Sequence, residues 1–134
     1  MTIPGAASVP VERLIERLAA AGELTRAEWR QAMQAAPRHL SVPARGWCVP
    51  DGSGVAHTID RAADPGGWWD GAYADAAVIT QIADGDADPG TGQGPWTSSL
   101  SAPGAVMTFL TCWARNASPA PTTTAATAAF PGPG

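Results

Sequence analysis

The chain contains no lysine: all 8 of its basic residues are arginines, scattered singly from Arg13 to Arg115. Against 12 acidic residues they leave a net charge of −4, and no run of positive side chains forms anywhere. Non-specific nucleic-acid affinity is built from clustered Lys and Arg, so a broad phosphate-binding surface is excluded. Cysteine is almost as scarce. Cys48 and Cys112 are the 2 thiols, too few for a disulfide framework, and two unpaired thiols in a reducing, cytoplasmic setting are expected. No basic segment followed by an apolar run opens the sequence, and no stretch approaches the length of a membrane span. Neither a secretory signal nor a membrane partner is therefore expected, and the sequon Asn116-Ala117-Ser118 reads as a chance match.

What is present is a globular but Ala-rich composition, 45% hydrophobic, punctuated by 15 Gly and 13 Pro that imply many turns. Residues 1–10 read as a flexible Pro/Gly/Ala arm. Val11, Leu14, Ile15 and Leu18 then recur at helical spacing, predicting a helix over Val11–Ala21 that stops at Gly22. Thr25 and Glu28 have the spacing of a capping box, with Leu24 and Trp29 as a hydrophobic staple. They predict a second helix, with Trp29, Ala32, Met33 and Ala36 on its apolar face, ended by Pro37. From Pro37 to Ser101 the pattern is mostly loops with short strands. Asp51–Gly54 and Asp64–Gly67 are turn sequences, Ala76–Ile82 suits a buried strand, and 84–95 is an acidic, Gly-rich loop. Pro103 opens a further helix carrying Val106, Phe109, Leu110 and Trp113. Residues 114–134 hold Thr, Ala, Pro and Gly with one charge and read as a low-complexity, disordered tail.

Few constellations carry chemistry. Asp84, Asp86 and Asp88 alternate like the start of a calcium loop, but the glycine is displaced and Pro95 stands where a bidentate Glu belongs, so a solvated loop is expected. His39 and His57 have no Cys or carboxylate at ligand spacing, so no metal site is assigned, and His39 is expected to satisfy a turn carbonyl. Neither cysteine has neighbours that would make it a nucleophile. Trp68-Trp69 sets two large rings side by side, either as core filler or as a peptide-binding surface. The remaining feature is the hydroxyl run Thr97, Ser98, Ser99 and Ser101 before Pro103. A helix N-terminus has unpaired N–H donors and the positive end of the dipole, so hydroxyls crowded there suit a carboxylate.

Ala36-Pro37-Arg38-His39-Leu40-Ser41-Val42-Pro43 resembles the PRHLFVP-type segment of protein-L-isoaspartate O-methyltransferases and of their actinobacterial relatives that methylate carboxylates on ribosomal peptides. Tyr73-Ala74-Asp75 is similar to that family's Tyr-x-Asp segment. Thr97-Ser98-Ser99-Leu100-Ser101-Ala102-Pro103 is similar to its Thr/Ser-rich S-x-P segment, and Trp68-Trp69 resembles the actinobacterial branch. The three motifs stand in order between Leu24 and Trp113. Gly104-Ala105-Val106 departs from the histidines that the protein-repair enzymes carry there.

The resemblance implies an α/β Rossmann-like methyltransferase. Residues 11–113 would be its mostly helical, loop-rich N-terminal part, truncated before the core cofactor-binding sheet and inactive alone. It implies S-adenosylmethionine as cofactor, although the glycine-rich turn that binds it is absent after Trp113, so no cofactor-binding residue is assigned. The partner implied is a peptide or protein bearing an aspartyl or isoaspartyl carboxylate. Ser101 would be catalytic, Thr97, Ser98 and Ser99 would hold the substrate carboxylate, and Tyr73 and Asp75 would shape the pocket wall. Such a carboxylate, already ionised at neutral pH, needs positioning rather than a base to attack a sulfonium methyl group. The competing expectation is a non-enzymatic peptide- or partner-binding module using the Trp68/Trp69 surface.

Overall fold

The computed structural model describes residues 5–117. Helix α1 (Gly5–Ala20) and helix α2 (Ala27–Ala35) come first, followed by strands β1 (Arg45–Pro50) and β2 (His57–Asp60) and helix α3 (Pro65–Ala72). Strand β3 (Ala76–Ile82), strand β4 (Trp96–Leu100) and helix α4 (Pro103–Asn116) complete the fold. The four strands form one antiparallel sheet in the order β2-β1-β3-β4. The segment expected to be loop-rich thus carries a complete small sheet, and that sheet is antiparallel rather than the parallel arrangement of a Rossmann core.

Each face of the sheet has its own cover. Cys48 pairs with Val78, and Gly46 with Ile59. These residues share one pleat face, because side chains alternate along a strand. That face is buried under the stripe Val11, Leu14, Ile15 and Leu18 of α1, Trp68 and Ala72 of α3, and Met107 of α4. On the opposite face, Thr58 Oγ1 donates to the Gly90 carbonyl at 2.6 Å, and the Trp47 indole lies against Gly92. Gly92 has φ +66, a left-handed conformation that suits glycine, and a Cβ there would enter the indole. Residues 90–92 therefore pack on the sheet, while Asp84, Asp86 and Asp88 are exposed, as the solvated-loop expectation has them. Arg45 clamps the loop, pairing with Asp60 and Asp88 at 2.8 Å each. Asp88 is held below the usual carboxylate range, first by the Gly90 amide and then by Arg45. Among the described residues no group of three or more metal-ligating side chains converges.

Several local expectations change. Residues 5–10 belong to α1 rather than to an arm, with Pro10 inside the helix, where it has no N–H to donate to the Ala6 carbonyl. The capping box does not form: Arg26 is the N-cap of α2 without a side-chain bond, and Glu28 pairs with the Arg26 guanidinium instead. Asp64–Gly67 is a helix start, Asp64 Oδ1 accepting from the Gly67 amide at 3.0 Å with Pro65 in the first turn. Helix α4 runs past Trp113 to Asn116; the expected arm residues 1–4 and tail residues 118–134 lie outside the described residues. Among the described residues no helix is long and apolar enough to cross a membrane.

Candidate functional site

The centre of the molecule is organised by Arg38. Pro37 ends the approach to a short 3₁₀ turn over Arg38–Leu40, and the turn aims the guanidinium inward. Its Nε donates to the Ala72 carbonyl at 3.0 Å, Nη2 to the Ala76 carbonyl at 2.9 Å and Nη1 to the Ser101 carbonyl at 2.9 Å. One side chain thereby joins the Pro-Arg-His segment, both ends of the Tyr-x-Asp segment and the Ser101 segment. Partial burial pushes the Arg38 pKa down, with Cys48, Asp75 and Tyr73 opposing that shift.

His39 and Tyr73 form the second link. The Tyr73 hydroxyl lies 2.6 Å from His39 Nδ1 and 3.4 Å from the His39 amide nitrogen. Burial raises the Tyr73 pKa, so the phenol keeps its proton. Burial first, and the Arg61 guanidinium second, lower the His39 pKa, so the ring is neutral at pH 7. The His39 amide donates to the phenol oxygen, and the imidazole tautomer sets the direction of the Nδ1–hydroxyl bond. His39 satisfies a phenol, not the turn carbonyl expected for it.

Asp75 has a structural partner as well. Its Oδ1 accepts from the Gly104 amide at 2.8 Å, at the start of α4. Glu23 Oε2, buried with no hydrogen-bond partner among the described residues, also lies against Gly104. Two of the chain's own carboxylates thus occupy the positive end of α4, where a substrate carboxylate was expected. Pro103 brings no N–H, Gly104 is taken, and the Val106 amide bonds to the Ala102 carbonyl at 3.1 Å. That leaves the Ala105 amide, third in the helix, without an acceptor inside it.

The hydroxyl run divides in two. Residues 97–99 lie in strand β4 rather than in a helix approach. Thr97 Oγ1 bonds to Gln81 Oε1 and accepts from the Asp84 amide, and Ser98 bonds to Thr80, so both are committed to the sheet edge. Ser99 and Ser101 are exposed and line one shallow cleft with Asp51, Ala77 and Ala105. Tyr73 and Asp75 are not in its wall. Trp68 is fully buried and donates its Nε1–H to the Pro43 carbonyl at 2.8 Å, so the expected two-tryptophan surface does not exist. Trp69 is half-buried, stacked on Tyr73. Arg38 was missed as an organiser because its partners are main-chain carbonyls, which leave no mark on the sequence.

No family model, curated protein or solved structure matches this chain.

Proposed function

We propose that this chain carries the substrate-facing part of a protein-L-isoaspartate O-methyltransferase-like enzyme, and that its Ser99/Ser101 cleft receives an aspartyl or isoaspartyl carboxylate of a peptide or protein. The observation that carries the proposal is the Arg38 hub. Three segments far apart in sequence, singled out by their resemblance to one family, are tied by a single guanidinium. In this reading Ser99 and Ser101 donate hydroxyls to the carboxylate and the Ala105 amide supplies a third donor. Asp51 also lines the cleft and, as a like charge, works against a bound carboxylate, so the hydroxyl and amide donors must outweigh it. The carboxylate is ionised at neutral pH, so the cleft orients it and moves no proton.

The described residues do not fit S-adenosylmethionine. Their sheet is antiparallel, and no strand runs through a glycine-rich turn into a helix. The proposal therefore covers substrate recognition and assigns no methyl-transfer step to these residues. With Cys48 and Cys112 both free, we assign the protein to the cytoplasm.

Calorimetry tests the reading. An isoaspartyl peptide should bind saturably, and Ser101→Ala should weaken it about tenfold, the loss of one hydrogen bond to a charged group. S-adenosylmethionine should give no heat of binding. Equal affinity of the Ser101→Ala variant would remove Ser101 from the site, and saturable cofactor binding would show that a cofactor site had been overlooked.

A further inference from the structure

Away from the Ser101 cleft, a second recess opens between α1 and α3, and nothing in the reading above uses it. Arg13 and Arg17 line one side of it, and Trp69 and Tyr73 the other. Arg17 is held in place, its Nη2 donating to the Tyr73 carbonyl at 2.9 Å. A guanidinium has five N–H donors, so most of Arg17 stays available. Arg13 stands one turn earlier on the same helix face and is exposed. Among the described residues, neither arginine is in an ion pair. The Trp69 indole lies parallel to the Tyr73 ring, within 5° at a centroid separation of 6.1 Å, and the Arg61 guanidinium is 5.7 Å from its centroid. Arg13 and Arg17 line the recess itself, whereas Arg61 does not and lies closer to Trp68, at 4.8 Å. The carboxylate that lines the recess is Asp70, exposed on α3.

We propose that this recess binds an extended acidic peptide segment with carboxylates at alternate positions. Residues four apart on a helix are separated by roughly 5–6 Å at Cβ, and alternate residues of an extended chain by roughly 6.7 Å. Arg13 and Arg17 therefore match two carboxylates with one residue between them, and that pitch selects for the pattern acidic-x-acidic. Trp69, packed against Tyr73, His39 and Arg61, contributes only the part of its indole that stays exposed, as an apolar wall beside the two guanidiniums. Two guanidiniums on a chain of charge −4 do not make a nucleic-acid surface. The proposal stands independently of methyl transfer.

The test uses the full chain and a blocked heptapeptide, acetyl-Gly-Glu-Ala-Glu-Ala-Glu-Gly-amide, with its Gln counterpart as control, followed by calorimetry at low salt. The Glu peptide should bind saturably and the Gln peptide should not. Arg13→Gln should weaken binding about fivefold and Arg13→Gln/Arg17→Gln more than tenfold, and raising the salt to about 0.5 M should remove most of the affinity. Arg13 is an exposed helix position whose replacement leaves the fold intact, so the single variant reads the recess even if Arg17→Gln loosens Tyr73. Equal binding of the Gln peptide, unchanged affinity in the Arg13→Gln variant, no saturable binding up to about 1 mM, or stronger binding of a short oligonucleotide would each overturn the proposal. Loss of isoaspartyl-peptide binding in the Ser101→Ala variant has no bearing on this result, so the two readings fail separately.

Discussion

Replacing Arg38 by alanine removes three hydrogen bonds at once and leaves the carbonyls of Ala72, Ala76 and Ser101 facing a vacated space. The bonds to Ala72 and Ala76 are partly buried, whereas the bond to Ser101 is exposed and water can replace it. Counting the two shielded bonds at about 1.5 kcal/mol each, the lower end for bonds to a charged group, and the third at a few tenths gives a loss of about 3 kcal/mol. At roughly 4–8 °C per kcal/mol for a domain of this size, Tm should fall by about 12–24 °C. Arg38→Lys separates geometry from charge. An ammonium on a flexible stem cannot span three divergent carbonyls, so it should recover about half of the loss. Urea titrations followed by circular dichroism, with thermal melts in parallel, supply both values. A change below about 1 kcal/mol for Arg38→Ala, or full rescue by Arg38→Lys, would refute the view that a forked guanidinium joins the three segments.

Trp68→Ala deletes the largest fully buried side chain and should cost about 3–5 kcal/mol in the same urea titrations. Gly92→Ala puts a Cβ at φ +66 against Trp47; a loss of about 1–2 kcal/mol is expected, and an unchanged melt would mean that residues 90–92 do not pack on the sheet. His39, held below its ordinary 6.5 by burial and Arg61, takes up a proton more readily in the unfolded chain than in the folded one. Its contribution to stability is therefore complete above pH 6.5 and is lost as the pH falls from there toward the lowered value. Thermal melts across that window should show the decline in the wild type and a flatter profile in His39→Gln.

How much of this was readable in the sequence depended on whether one residue type served one role. The α1 stripe Val11, Leu14, Ile15 and Leu18 is buried as its spacing predicts, and Ala76–Ile82 is the strand its β-branched residues suggest. Helix α3 was missed although Asp64 and Pro65 signal a start, because Gly66-Gly67 pointed to a turn; the burial of Trp68 and Ala72 outweighs that propensity. Strand β4 lacks apolar alternation because it is an exposed sheet edge, so its hydroxyls looked like a helix approach. The site was only partly visible for a related reason. Ser99 and Ser101 do share a cleft, but Asp75 caps α4 and Tyr73 bonds His39, and such internal partnerships between distant residues have no local signature.

The most direct measurement of the central claim is a titration of the ¹⁵N-labelled chain with an isoaspartyl peptide, followed through its amide resonances. Saturable shifts centred on Ser99, Ser101 and Ala105, absent with the matching asparaginyl peptide, are the predicted result. Shifts that avoid these three residues, or that appear equally with the uncharged peptide, would contradict the assignment of this cleft to carboxylate recognition.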